Sequence, residues 1–341
     1  CIRDRVNGVV RTFERMIAEL GALGFDVSIL EPGAFRTIPC PTYPEIRLAV
    51  SPPAKVRAAI ADAAPDHIHI ATEGPLGVIA RRWCVRNGRV FTTSFHTKFP
   101  EYLRARAPIP ESWTYAWLRR FHNAGSGCMV ASASLESDLA QRGFRHLMRW
   151  SRGVDSDLFR PRRDRMALDF PRPISLYVGR VAPEKNLDAF LSLDLPGSKV
   201  VVGDGPALAA LKSQFSEAHF LGFREGEALA EVYSAADVFV FPSRTDTFGI
   251  VLLEALASGL PIAAYPVTGP SDVIGEAAVG VLDEDLRSAV LGALQIPAER
   301  CRDFAISRGW KTSARQFLDN VSRAQALFGH SAKAESRLAA G

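Results

Sequence analysis

From residue 174 onward the chain alternates short apolar, β-branched runs with amphipathic segments. The runs at 174–178, 199–202, 219–221, 238–241, 261–264 and 280–282 predict strands. The segments 187–193, 207–215, 227–234, 250–258 and 285–294 predict the helices between them. Strands alternating with helices at this spacing imply right-handed crossovers and a parallel sheet. The strand runs are nearly continuous in apolar character, as expected where helices cover both faces. The first half follows the same rule less cleanly. A helix is expected at 9–23, strands at 26–30, 67–70, 90–94 and 128–131, and helices at 111–123 and 135–142. The proline-rich stretch 31–53 reads as a long loop with one short strand near 46–50.

The segment 149–165 is rich in arginine and punctuated by Gly153 and Pro161, and Phe170-Pro171-Arg172-Pro173 follows it. This predicts a linker. The expected division is a first α/β domain over 1–155, a linker over 156–172, a second α/β domain over 173–330 and a flexible polar, Ala-rich tail over 331–341. At roughly 100–200 residues per domain, 341 residues accommodate two. The chain opens with Cys1 and runs at once into Arg3-Asp4-Arg5, where a domain of this kind begins with a strand; the expectation is that the first strand is missing from the sequence.

Composition narrows the class. Apolar residues make up 47% and charged residues 23%, enough to build large cores and against disorder. No apolar run approaches the ~20 residues needed to span a bilayer. The five cysteines, Cys1, Cys40, Cys84, Cys128 and Cys301, are scattered and odd in number, which argues against a disulfide framework or zinc site and for a reducing cytoplasm. Residues 1–160 hold 22 Lys and Arg against 15 Asp and Glu, and the remainder 19 against 22. A basic first half fits an anionic partner, whether membrane surface, nucleic acid or phosphorylated ligand, as well as ordinary solvated charge.

The strongest chemical signal is Pro242-Ser243-Arg244-Thr245-Asp246-Thr247-Phe248-Gly249-Ile250-Val251-Leu252-Leu253-Glu254. It leaves a buried strand and enters a helix. The amides of Thr247, Phe248, Gly249 and Ile250 are helix N-terminal donors suited to an anion or sugar hydroxyls. A helix cap explains Asp246. It does not explain Glu254, an acid in an otherwise apolar run, which costs several kcal/mol unless paired. Arg180 and Lys185 follow a strand at its carboxyl end, where cations can pair with a pyrophosphate. His96 follows the strand at 90–94 and points toward the same kind of edge; a structural histidine is the plain alternative.

These residues resemble the retaining glycosyltransferases of family 4. The carboxylate, seven residues, then Glu after Pro-Ser is similar to that family's signature. Gly179-Arg180-Val181-Ala182-Pro183-Glu184-Lys185-Asn186 and Gly203-Asp204-Gly205-Pro206 resemble its phosphate-side turns. Gly153-Val154-Asp155 with Phe159 and Pro161 resembles its linker, and Asn7-Gly8-Val9-Val10-Arg11-Thr12 its first Gly-rich loop. Ser94-Phe95-His96-Thr97-Lys98-Phe99-Pro100-Glu101-Tyr102 resembles a variant of bacterial mannosyl- and glycolipid-forming members. The resemblance covers nearly the whole chain. It implies the GT-B fold, two doubly wound Rossmann-like domains facing across a cleft. It also implies a nucleotide-diphosphate sugar as donor, GDP-mannose or UDP-glucose or UDP-glucuronate. No His/Cys metal spacing appears, so no metal is expected, and no cofactor beyond the donor substrate. By resemblance, Glu254 meets the ribose, Asp246 holds sugar hydroxyls, His96 contacts the donor sugar, Arg180 and Lys185 the diphosphate, Gly8 lets backbone approach it, and Gly203 belongs to the substrate-binding turns. Retention is ascribed to front-face attack, the leaving phosphate taking the acceptor proton. The family often carries Glu where this chain has Asp246, one methylene shorter.

Two Asp-x-Asp pairs, Asp155/Asp157 and Asp283/Asp285, mimic a metal motif of a different fold but fall in a linker and a turn, where capping explains them. Gly203-x-Gly205 lacks the third glycine of a dinucleotide fingerprint. Trp113, Trp117 and Phe121 recur every four residues beside Arg119 and Arg120, with Arg81, Arg82, Arg86, Arg89, Arg104 and Arg106 nearby in sequence. That pattern fits either a core stripe or a lipid interface. With the basic first half it leads to a lipid or glycolipid acceptor such as diacylglycerol, contact with an anionic membrane, and a cytoplasmic protein peripheral to the inner face. A nucleotide-sugar epimerase of the same fold and a non-catalytic basic binding protein remain as alternatives; no nucleic-acid motif is present.

Overall fold

The computed structural model describes residues 8–40, 43–96, 110–162, 168–244 and 249–338, with side chains except at 8–11, 40, 43–46 and 330–338. The chain forms two compact units, residues 1–151 with 313–341, and residues 152–312.

The first unit contains strands β1 (Thr37–Cys40), β2 (Tyr43–Ala49), β3 (Ile68–Ile70), β4 (Phe91–Phe95), β5 (Gly127–Val130) and β6 (Leu147–Arg149), with helices α1 (Gly8–Ala22), α2 (Pro53–Ala63), α3 (Pro75–Arg86), α4 (Glu111–His122) and α5 (Ala133–Gln141). β3 to β6 make a parallel sheet in chain order, each strand joined to the next through a helix-bearing crossover. β1 and β2 pair antiparallel as a separate hairpin, so the stretch read as a loop holds two strands. The expected strand at 26–30 is irregular. It has strand-like alternation, but among the described residues no ladder partner, and Phe25, Ile29 and Leu30 are exposed. A strand exists through its pairing, and pattern alone does not supply it.

The second unit contains β7 (Ile174–Val178), β8 (Ser198–Val202), β9 (His219–Gly222), β10 (Val238–Phe241), β11 (Ile262–Ala264) and β12 (Gly280–Leu282). Its helices are α6 (Leu187–Leu191), α7 (Leu208–Gln214), α8 (Gly226–Ala235), α9 (Ile250–Ala257), α10 (Thr268–Ile274), α11 (Leu286–Ala293) and α12 (Ala298–Ile306). The six strands are parallel in the order β12-β11-β10-β7-β8-β9. Successive residues face opposite sides: Leu176, Val200 and Phe239 enter one core, Tyr177, Val201 and Val240 the other. Both faces are covered, which is why these strands read as unbroken apolar runs. The chain order doubles back between β7 and β10, the position where doubly wound sheets open a crevice at their carboxyl ends.

The last helix, α13 (Trp310–Leu338), spans the place where the second domain was expected to end and a tail to begin. Its backbone is helical to Leu338, and from Ser313 it belongs to the first unit. Ser313 Oγ donates to Ser151 O at 2.7 Å, Trp150 Nε1 donates to Ser313 Oγ at 3.1 Å, and Asn320 Nδ2 donates to Arg149 O at 2.8 Å. Among the described residues no helix is long and apolar enough to cross a membrane.

Candidate active site

Three loops leave the carboxyl ends of adjacent strands β10, β7 and β8, and they are tied by backbone. Val181 N donates to Asp204 O at 2.9 Å, and Ala207 N donates to Val181 O at 3.1 Å. Gly203 sits at φ +139°, and a Cβ there would lie 1.9 Å from Gly179 O. At Gly205 a Cβ would lie 2.2 Å from Val181 O. No other residue fits either position, so the Gly-x-Gly spacing serves strand-to-strand loop contact. Tyr177, fully buried, donates through its hydroxyl to Arg180 O at 2.9 Å and holds the turn from below.

The switch point is bridged as well. Asn186, in the left-handed region at φ +55°, donates from Nδ2 to Pro242 O at 3.1 Å, joining the loop after β7 to the loop after β10. Arg180 is exposed on the first loop, its guanidinium 3.8 Å from Glu184, a surface pair that a more strongly bound anion can displace. Lys185 is half-buried on the 3-10 turn Pro183–Lys185. Arg244 stacks on Tyr265 at 3.6 Å and donates to Glu284 Oε2 at 3.0 Å, so its guanidinium is engaged at the edge of the same loop. That hydrogen bond raises its already high pKa further.

Gly249 caps the N-terminus of α9 at φ +74°, and half-buried Ile250 opens the helix. Glu254 lies one turn further in, 8% exposed, among buried Leu252, Leu253, Ala255 and Leu256. Its carboxylate accepts the Tyr233 hydroxyl on Oε2 at 3.1 Å. Tyr233 comes from α8, is itself fully buried, and has its hydroxyl 3.4 Å from Val251 O. This partner was not legible in the sequence: a tyrosine 21 residues upstream has no spacing relation to the acid. Asp246, Thr247 and Phe248 lie outside the described residues, as do Thr97 to Tyr102 of the His96 motif.

His96 and Gly8 belong to the first unit. Gly8 is the first residue of α1, and His96 follows β4 directly. Phe13 of α1 meets the His96 ring edge-on, with centroids 5.6 Å apart, which sets α1 against the end of β4. Trp150 contacts both His96 and His69, and Phe317 closes on His69 and Trp150. Beneath this aromatic cluster runs a chain of 2.9 Å hydrogen bonds from Ser94 through His69 and Thr92 to His67. Burial pushes His67 down to about 4. On the neighbouring face His122 is fully buried. Desolvation lowers its pKa, but adjacent Cys128 and the 3.0 Å bond to Glu73 outweigh it and bring the pKa to about 9. None of this network was anticipated beyond His96.

The Asp-x-Asp mimics are caps. Asp155 accepts from Leu158 N, and Asp285 accepts from Arg287 N and Ser288 Oγ at the start of α11.

The family pattern described as Glycosyltransferase Family 4 matches residues 6–158, and that described as Glycosyl transferases group 1 matches residues 162–288. A GDP-mannose-dependent alpha-mannosyltransferase of Mycobacterium tuberculosis is 30% identical over 305 residues, spanning 82% of this chain and 80% of that protein. The chain belongs to the family 4 glycosyltransferases. As a member of that family it is also 32% identical to the sulfoquinovosyl transferase SQD2 of Arabidopsis thaliana over 307 residues, 80% of this chain but 59% of the plant protein's length. In fold, this glycosyltransferase superposes on the Anabaena protein HepE in complex with UDP and glucose, with a TM-score of 0.70 at 16% identity over 94% of this chain and 98% of that one. Its fold is thus the GT-B class of two Rossmann-like α/β units.

Proposed function

We propose that this glycosyltransferase moves a hexosyl group, with retention of anomeric configuration and without a metal, from a nucleoside-diphosphate sugar to a lipid. GDP-mannose and UDP-glucose or UDP-glucuronate are the donors in view, and diacylglycerol the model acceptor. The observation that carries the reading is the switch-point crevice, where the Arg180 and Lys185 loop is tied to the loop that leads into Glu254. A diphosphate at that edge would meet the two cations as its negative charge grows on departure. Gly203 keeps its turn close against Gly179, and the amides of Gly249 and Ile250 at the start of α9 suit hydroxyls or phosphate; Thr247 and Phe248 are assigned the same role. Glu254 is suited to accept ribose hydroxyls because it is buried, fixed and acidic.

In the transfer step the acceptor oxygen bonds to the anomeric carbon as the carbon–phosphate oxygen bond breaks. The acceptor proton passes to the leaving phosphate, so no protein nucleophile is required. His96 and Asp246 are assigned to the transferred sugar and Gly8 to the phosphate. The mannosyltransferase and sulfoquinovosyl transferase names of the relatives support hexose transfer, the second being glycolipid chemistry. Work at the inner face of the cell membrane follows from a lipid acceptor.

Thermal shift with UDP, GDP and ADP tests the donor site. One nucleotide is expected to stabilise the protein, and Glu254→Ala and Arg180→Ala are expected to remove that shift. No stabilisation by any of the three would overturn the reading. Release of that nucleotide from its sugar only when diacylglycerol vesicles are present separates transfer from epimerisation, which needs no acceptor.

A further inference from the structure

On the first unit, α3 and α4 enclose a hollow of about 310 Å³ lined by Val78, Arg81, Arg82, Trp117, Arg120 and Phe121. Arg81 crosses from α3 to the carboxyl end of α4, donating from Nε to Phe121 O at 3.0 Å and from Nη2 to Arg120 O at 2.8 Å. It is therefore pinned in the lining of the hollow. Arg82 and Arg120 are exposed at the rim, and among the described residues neither has a carboxylate partner. The crowding of like charge is felt by Arg81: burial lowers its pKa first, then Arg120 and Arg82 lower it further. Three guanidinium groups gathered around one hollow without a neutralising acid form an incomplete electrostatic set, which an anion completes.

The walls identify the kind of anion. Trp117 is 46% exposed and packs its ring on buried Phe121 at 5.8 Å. Trp113, one turn earlier on the same face of α4, is 73% exposed. A core stripe would bury these indoles; here only Phe121 is buried, so the four-residue aromatic spacing divides between core and surface. Exposed indoles beside arginines match the chemistry of the bilayer interface, where an amphipathic ring sits at headgroup level and guanidinium groups meet phosphate. A soluble phosphate compound would use the arginines and leave the indoles unexplained.

We propose that this hollow is a binding site for the phosphodiester headgroup of an anionic lipid, entered from a bilayer surface, with Trp113 and Trp117 inserted beside it. The site lies on residues separate from those assigned to the donor, so it adds a membrane contact to the transferase reading without depending on the chemistry.

Flotation of the full chain with phosphatidylcholine vesicles, with and without phosphatidylglycerol, tests it. Binding is expected only with phosphatidylglycerol and is expected to weaken with salt. Arg82→Gln and Arg120→Gln, both exposed, are each expected to weaken binding about fivefold. Brominated lipid is expected to quench indole fluorescence in the wild type and less in Trp117→Ala. Equal binding to vesicles of phosphatidylcholine alone, or unchanged binding by both arginine variants, would overturn the site. Binding of glycerol phosphate, lost in Arg82→Gln and Arg120→Gln, with no vesicle binding would overturn the lipid source. The nucleotide thermal shift, run on the same variants, is expected to stay at the wild-type value. Vesicle binding without any nucleotide shift would count against the donor reading alone; a nucleotide shift without vesicle binding would count against this one.

Discussion

The two edges that carry the assigned residues are built from different materials. At the carboxyl edge of the second unit, loops touch mainly through backbone, Gly203 against Gly179 and Gly205 against Val181, with the Asn186 side chain adding one bond to the Pro242 carbonyl. At the end of β4 in the first unit, side chains do the work: Phe13, His69, His96, Trp150 and Phe317 pack ring to ring over a serine–histidine–threonine–histidine chain. A backbone-built edge tolerates no added atom but is indifferent to protonation. A side-chain-built edge tolerates small changes of shape but responds to pH.

The sharpest way to break that contrast is Gly203→Ala. Its Cβ would sit 1.9 Å from the Gly179 carbonyl oxygen, and backbone cannot yield as a flexible side chain does. We expect a loss of about 3–5 kcal/mol from the second unit, on the scale of severe overpacking and backbone strain, read as a lower urea midpoint together with loss of the nucleotide shift. Gly21→Ala in α1 is the matched control. A Cβ there meets nothing within 4 Å, and a helical glycine replaced by alanine is expected to gain about 0.5–1 kcal/mol. Equal midpoints for Gly203→Ala and the wild type would remove the argument for a backbone-built edge.

The second effect belongs to the first unit. The native state holds His67 neutral down to about pH 4, whereas an unfolded histidine protonates near 6.5. Its contribution is complete above pH 6.5 and is lost as pH falls toward 4, on the order of 3 kcal/mol. His122 runs the other way. Its native pKa of about 9 makes its contribution complete below pH 6.5, and that contribution is lost as pH rises through 9. Urea unfolding from pH 4 to 9.5 should show a stability maximum between the two limbs. His67→Asn is expected to flatten the acid limb and Glu73→Gln the alkaline one. A wild-type profile flat across the whole range would mean that neither histidine is held in its stated form.

The same contrast explains what could be read from the sequence. The second-unit strands were located to within about a residue because burial on both faces writes each as a continuous apolar run, and strand-end glycines mark the loops. Glu254 announced itself as an acid inside apolar Ile250–Ala257. Tyr233, which binds it, did not, because nothing in the local pattern of α8 distinguishes a tyrosine that donates to an acid from one that merely fills space. The first unit was harder. Among the described residues the strand-like pattern at 26–30 has no pairing partner, and β6 is only three residues long. α2 and α3 interleave charge with short apolar side chains, so their periodicity is shallow. Its histidines meet through contacts between residues 13, 69, 96, 150 and 317, separations that only the folded chain brings together.

The smallest effect sharpens the contrast at an exception, Glu254, an assigned side chain in the second unit that is held by another side chain. Removing the Tyr233 hydroxyl leaves ring packing intact and takes one donor from Glu254 Oε2. A hydrogen bond to a charged group contributes about 1.5–3 kcal/mol, and the low end applies because the tyrosine proton is also within reach of Val251 O. Tyr233→Phe is therefore expected to weaken nucleotide binding about tenfold, since Glu254 Oε2 loses the donor that fixes it toward the ribose. Isothermal titration with the nucleotide that stabilises the wild type gives the dissociation constant, and urea unfolding gives the stability separately. A loss of stability with unchanged nucleotide affinity would show that the Tyr233 bond satisfies a buried acid and does not position it. A loss of affinity that Glu254→Gln reproduces and does not add to would place both side chains in one binding element.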